Sequence, residues 1–386
     1  MRILFTSSPG WGHIHPMVPL ALAFRDRGDD VLWVTGSDAT PRLEAEGIAT
    51  AMAGISEREG MGALFARFPE VHEIPGPQKS DFMFPRLFGT IRAASMFADL
   101  TPIAAEWAPD LVVNDAAEFA GPVVAAQQGV ASVSHSFGGL LPEPRVASAG
   151  DAVAELWTGA GLEPRPYGGM YDHLYLDIYP PSLQSAERPH ILTTGLLQPG
   201  AFATSGDETL PDWVTAPSAD PLVYVTFGTV FANNSALAAI LDGLRQLDVR
   251  AVVTVGPHGD PESLGPQHAN VHVARYVPQS QLLPHCAAVI SHGGSGTFLA
   301  ALAAELPQLC VPQAADQFFN AAAGARCGAA LALQPEQVDA STVRDSVHRL
   351  LSEPRFGDAA RKVSEEIDAM PSPKDIADLL VQRFGR

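Results

Sequence analysis

Groups able to do chemistry gather in two places along the chain, a histidine pair near residue 13 and a glycine turn near residue 294. The segment 287–320, A-A-V-I-S-H-G-G-S-G-T-F-L-A-A-L-A-A-E-L-P-Q-L-C-V-P-Q-A-A-D-Q-F-F-N, is the denser of the two. Its pattern predicts a buried strand over 287–291, a turn at Gly293, Gly294 and Gly296, and a helix over 298–305 that stops before Pro307. A second strand follows over 308–311. Ser295 or Thr297 stands where a residue could cap that helix. Glycine lets backbone N–H groups come close to a ligand, and at a helix start those groups and the helix dipole favour negative charge. Asp316, Gln317 and Asn320 come just after the second strand, at the end where open α/β sheets hold ligands.

Around the histidine pair, 2–7 reads as a buried strand, P-G-W-G-H-I-H-P as a turn, 17–27 as an apolar-periodic helix ended by Gly28, and 30–35 as the next strand. This is a βαβ opening, which calls for a parallel sheet covered by helices. A dinucleotide site would have G-x-G-x-x-G, but Gly10-Trp11-Gly12-His13-Ile14-His15 lacks the third glycine. Histidine titrates near neutral pH, so His13 at a strand tip can take a proton from a hydroxyl; the other reading is a capping or packing residue. His15 reads as structural. The strand 109–114 delivers Asp115 at its carboxyl end, either as a helix cap or as the partner that orients an imidazole. Asp110 and Glu118 are the alternatives for that role. A further strand over 131–136 leaves His135 either facing a ligand or satisfied inside the fold.

Composition sets the frame for these two places. A chain of 386 residues exceeds what one core usually serves, so two domains are expected. A formal net charge of −19 repels nucleic acid and anionic lipid, so an anionic ligand needs a local device such as the glycine turn. Cys286, Cys310 and Cys327 make an odd set without paired spacing, which reads as free thiols in a reducing compartment. The opening M-R-I-L-F-T-S reads as a strand with no signal-peptide core, so a cytoplasmic protein is expected, with no membrane partner. Residues 201–221, rich in Pro, Gly, Ser, Thr and acids, read as a linker between an N-terminal domain (1–200) and a C-terminal one (222–370). An amphipathic helix is expected over 371–386. Residues 55–100 look least regular, and their Phe and Met residues, Phe65, Phe82, Phe84 and Phe88 among them, suit an adaptable apolar pocket in a loop-rich insertion.

Taken as whole strings, H-G-G-S-G-T, L-P-Q-L-x-V-P-Q and D-Q-x-x-N-A closely resemble the donor-binding segment of family 1 glycosyltransferases. The bacterial branch that decorates antibiotics, similar to the calicheamicin-type enediyne glycosyltransferases, is the nearest. G-H-x-x-P at 12–16 resembles the N-terminal motif of the same family. The resemblance implies a GT-B fold, two Rossmann-like doubly wound α/β domains facing across a cleft, with the last helix crossing back to the N-terminal domain. It implies His13 as base and Asp115 as its support, with acceptor contacts from Phe65, Phe82, Phe84, Phe88 and His135. On the donor side it implies Gly12, Thr229, His292, Gly294, Ser295, Gly296 and Thr297 around the diphosphate, and Asp316 and Gln317 on sugar hydroxyls. V-A-R-Y-V-P-Q-S-Q-L-L-P at 273–284 resembles the family's W-x-P-Q element, with Tyr276 for tryptophan stacking on the base and Val277 and Gln279 at its edge.

The reaction implied is inverting transfer of a sugar, a deoxysugar included, from a nucleotide diphosphate to a hydroxyl of a hydrophobic natural product. No D-x-D pair is present, so no metal and no cofactor beyond the donor are expected. Uridine-diphosphate users of the family commonly place a glutamate where this chain has Ala300, so a thymidine diphosphate (dTDP) sugar is the expected donor over UDP. Three rivals remain: a UDP-glucosyltransferase that inactivates antibiotics, a nucleotide-sugar epimerase on the same scaffold, and a catalytically silent helper protein. The sugar, the aglycone and the oligomeric state, a homodimer included, stay open.

Overall fold

The computed structural model describes residues 1–74, 76–184, 188–200, 210–227, 234–256 and 259–385. It divides into two units: Met1–Tyr179, Ala186–Gly200 and Met370–Arg386 form the first, and the remainder the second.

Unit 1 is built on seven strands: β1 (Arg2–Thr6), β2 (Asp30–Thr35), β3 (Ala49–Met52), β4 (Leu111–Asp115), β5 (Ala131–His135), β6 (Leu174–Asp177) and β7 (Thr194–Leu196). They lie in the order β3-β2-β1-β4-β5-β6-β7, every neighbouring pair parallel. Residues 3–5 of β1 and 111–113 of β4 are apolar and fully buried, as a helix-covered parallel sheet requires. Leu4 and Val112 pack with Leu100, Ala104 and Val124 from the covering helices Ala93–Trp107 and Ala120–Gln128. Strand order reverses between β1 and β4. Such a switch point opens a crevice at the strand ends.

Unit 2 repeats the plan with β8 (Leu222–Thr226), β9 (Arg250–Thr254), β10 (Val271–Ala274), β11 (Ala288–Ser291), β12 (Gln308–Cys310) and β13 (Ala330–Ala332), ordered β10-β9-β8-β11-β12-β13 and all parallel. Its switch point lies between β8 and β11. Val225, Val253, Ile290 and Leu309 pack on one side with Ile240, Val343 and Val347. Tyr224, Val252 and Val289 pack on the other with Val277, Leu282 and Ala301.

One sequence expectation needs correction. Residues 55–100 are mostly helical: Glu57–Arg67 under a Ser56–Glu59 capping box, then Gly76–Phe84, a π-helical turn over Pro85–Arg92, and Ala93–Trp107. Proline at 85 and 102 obscured that regularity, because each is tolerated here within continuous helix. The stretch read as a linker contains a helix, Asp212–Thr215, whose Val214 is buried beside Trp213. The last helix, Pro373–Phe384, belongs to unit 1, where it packs on Val18–Asp26 and pairs Asp378 with Arg27 at 2.6 Å. Among the described residues no helix is long and apolar enough to cross a membrane, and Cys286, Cys310 and Cys327 are free thiols.

Candidate active site

In unit 1, the two residues singled out for proton chemistry flank the switch point. His13 sits on a short helical turn, Trp11–Ile14, that follows β1; Asp115 ends β4. Parallel pairing sets Thr6 opposite Asn114, which brings the two strand ends side by side. The His13 Nδ1 atom lies 3.0 Å from one Asp115 oxygen and 3.1 Å from the other. Asp115 is fully buried, and it also accepts the Ser8 N–H at 3.3 Å and the Ala117 N–H at 3.0 Å. Those donors supply the hydrogen bonds that its oxygens would otherwise take from water. With Nδ1 engaged, the Nε2 edge of a partly exposed imidazole is left for a ligand. Phe137 and Phe88 hold the ring, at centroid distances of 4.5 and 5.4 Å.

The other unit 1 residues sort by burial. Phe84 is in the core, ring against Phe88 and Phe119. Phe65 is half-exposed and stacks on His72, and Phe82 lies under the Arg86 guanidinium. His135 is fully buried. Its Nδ1 pairs with the Ser136 carbonyl, and burial lowers its pKa to about 4, so it is neutral and exposes no atom to an acceptor. His15 is partly buried, and desolvation, then the nearby Arg42 charge, lower it to about 3, in keeping with a structural role. Glu118 does not touch His13. Both its oxygens are taken by Thr6 Oγ1 and the N–H groups of Ala120 and Gly121, and burial pushes it up to about 7. Asp110 accepts from the Arg2 N–H at the far end of β1. Gly12 is exposed beside His13.

In unit 2, the helix after β11 begins at Ser295, earlier than the sequence pattern placed it, and runs to Ala303. Gly294 is its N-cap and no side chain caps it, so neither Ser295 nor Thr297 has the capping role expected. The N–H groups of Ser295, Gly296 and Thr297 therefore head the helix without intrahelical acceptors. A Cβ at Gly294 would stand 2.5 Å from His292 Nε2, so only glycine lets that imidazole lie across the turn. Burial lowers the His292 pKa, against the opposing pull of Asp316 and a hydrogen bond with the Thr226 backbone.

The Ser295 hydroxyl is turned instead to Asp316 Oδ2, at 2.7 Å. Asn320, fully buried, donates to the Gly293 carbonyl at 2.9 Å, to Ser295 Oγ at 3.0 Å and to Asp316 Oδ2 at 3.1 Å. Gln317 spends its Oε1 on the N–H groups of Gln313 and Ala314, fixing the loop that carries Asp316. Along the same sheet edge Tyr276 is 41 % exposed, Val277 is buried, and Gln279 opens a short helix. Thr229 lies outside the described residues. Sequence reasoning gave no role to Phe137, which the H-S-F run after β5 could have flagged, and saw Asn320 only as a polar loop residue.

Two doubly wound sheets, one with a carboxylate-held imidazole at its switch point and one with a glycine turn and bare helix start, define a GT-B glycosyltransferase. The chain belongs to the erythromycin biosynthesis protein CIII-like family of actinomycete natural-product glycosyltransferases. Its residues 22–228 match the N-terminal domain of that family and 238–382 the C-terminal domain. It is 34% identical to the elloramycin glycosyltransferase ElmGT of Streptomyces olivaceus, over 100% of this chain and 98% of that one. Among solved structures, glycosyltransferase VinC in complex with dTDP is 27% identical with a TM-score of 0.80, covering 99% of each chain. Spinosyn rhamnosyltransferase SpnG complexed with spinosyn aglycone is 26% identical with a TM-score of 0.82, covering 100% of each.

Proposed function

We propose that this enzyme transfers a sugar from a dTDP-sugar to a hydroxyl of a hydrophobic natural-product aglycone, with inversion and without a metal ion. The observation that carries the reading is the His13–Asp115 pair. Asp115 fixes the Nδ1–H tautomer, so Nε2 is an acceptor for the hydroxyl proton as the oxygen attacks the anomeric carbon. The bond from that carbon to the diphosphate breaks on the opposite face, which inverts the centre. The buried Asp115 carboxylate then stabilises the imidazolium that forms. Phe88 and Phe137 give an apolar acceptor a surface on either side of the base.

The leaving diphosphate gains negative charge, and the N–H groups of Ser295, Gly296 and Thr297 with His292 are suited to meet it. That preorganised partial charge does the work a divalent cation would do, which supports the metal-free reading. Asp316 is steadied by Ser295 and Asn320 for a role on sugar hydroxyls, with Gln317 bracing the loop beneath it. Tyr276 offers an exposed ring face to the base, with the Val277 backbone and Gln279 at its edge. Ala300 packs beside the Val277 cluster, where a side chain carries no carboxylate for a second ribose hydroxyl. This favours a 2′-deoxynucleotide, in line with the dTDP held by VinC.

Calorimetry with dTDP and UDP tests the donor: dTDP binds more tightly, and a preference for UDP would overturn that half of the reading. Transfer measured in the presence of EDTA tests metal independence, with an unchanged rate expected. The anomeric configuration of the product, read by NMR against that of the donor, tests inversion.

A further inference from the structure

The turn that carries His13 opens on a glycine whose backbone does not call for one. Gly10 precedes the helical turn Trp11–Ile14 with φ −68° and ψ 136°, an extended conformation open to any residue. What glycine supplies there is room. A Cβ at position 10 would stand 3.3 Å from His13 Cδ2, the ring carbon bonded to Nε2, and 3.6 Å from Glu57 Oε2. The base and a second carboxylate therefore border one space, on the edge of the imidazole that Asp115 leaves unengaged.

Glu57 is held in place there. It opens the helix Glu57–Arg67, its N–H donates to Asp38 Oδ2 at 3.1 Å, and its Oε2 is paired with Nη2 of the buried Arg92. Oε1 takes no hydrogen bond among the described residues, and the side chain is 48 % exposed. A carboxylate oxygen only accepts, so the group that satisfies it is a donor. Because the Arg92 guanidinium balances its charge, an ammonium gains little there, and a neutral hydroxyl is the donor that fits. Two hydroxyls on neighbouring carbons can present one oxygen to Nε2 and the other to Glu57 across so narrow a gap. Resting on the acceptor reading above, we propose that Glu57 is a specificity-determining residue that accepts a hydrogen bond from a second acceptor hydroxyl, next to the one His13 deprotonates.

The test compares binding of 2-naphthol, 2,3-dihydroxynaphthalene and 2,7-dihydroxynaphthalene by fluorescence titration of the full chain. Wild type is expected to bind the 2,3-diol more tightly than 2-naphthol by on the order of tenfold, the worth of a hydrogen bond to a charged group. The 2,7-diol, whose second hydroxyl is remote, binds like 2-naphthol. Glu57→Met removes the preference and leaves 2-naphthol binding as in wild type. Gly10→Ala, at backbone angles that suit alanine, fills the gap and removes it too, which guards against a first variant that fails to fold. Equal binding of the 2,3-diol and 2-naphthol by wild type overturns the proposal, as does an equal gain for the 2,7-diol or a preference that survives in either variant. It also falls if both variants weaken all three probes alike, because Glu57 would then only brace Arg92. Should wild type bind none of the probes, the acceptor reading itself would fall and this inference with it.

Discussion

On the function proposed above, the two units solve opposite chemical problems with the same strand order. At the β1/β4 switch point the working groups are side chains: an imidazole, a buried carboxylate and two flanking rings. At β8/β11 they are backbone N–H groups on a helix start, with side chains serving mainly to hold the backbone in place. A base must present one lone pair in one direction, so its orientation is fixed by a carboxylate with its own buried donors. A diphosphate spreads its charge over many oxygens, so a fan of partial charges suits it better than one strong donor. The sheet order supplies a crevice in both cases. The turn leaving each strand decides the chemistry.

If unit 1 alone carries the base, His13→Ala is the most damaging change. It lowers kcat by on the order of 10²–10⁴-fold while the calorimetric Kd for dTDP stays as in wild type. A parallel loss of dTDP affinity would break the division of labour. Asp115→Asn follows closely, because the amide no longer holds the Nδ1–H tautomer.

The complementary change in unit 2 is Asn320→Ala. It releases the Gly293 carbonyl from Ser295 and Asp316, which keep only their own hydrogen bond, so the donor KM rises by roughly tenfold and stability falls by about 1–3 kcal/mol. Acceptor KM should not move.

A smaller effect comes from His135. Its folded pKa, about 4, lies below the ordinary 6.5, so the stability it contributes is complete above pH 6.5 and is lost as pH falls towards 4. In His135→Gln, thermal melts between pH 6.5 and 4 should show a shallower acid loss than wild type. An identical slope would mean that the imidazole is not the buried neutral group described. The mildest change is Ala300→Glu. It should narrow the preference for dTDP over UDP, read as a ratio of Kd values, and leave kcat with the dTDP-sugar nearly untouched.

Much of this was legible in the chain. Short apolar runs located β1, β2, β4, β11 and β12 to within two residues, because buried parallel strands have few other ways to be written. His13 and Asp115 could be paired through the resemblance to family 1 glycosyltransferases; read on its own, Asp115 looked as much like a helix cap, with Asp110 and Glu118 as alternatives. Less legible were contacts made at long range by residues with no motif. Phe137 reaches His13 only after β5 has been laid beside β4. The start of the helix at Ser295 was misjudged because the serine and threonine looked like caps, whereas Gly294 takes that position and Ser295 turns to a loop that sequence alone does not bring near. The helices over 57–107 hid behind prolines.

One consequence of the chain's path concerns engineering. The first unit is completed by residues Met370–Arg386, where Asp378 pairs with Arg27, the Gln198 N–H donates to the Pro371 carbonyl, and Phe384 lies edge-on to His173. Recombining unit 1 of this enzyme with unit 2 of a relative therefore takes at least two crossovers. A single splice would leave the transplanted half missing its final helix, and a tail from the wrong parent would cover Val18–Asp26 instead.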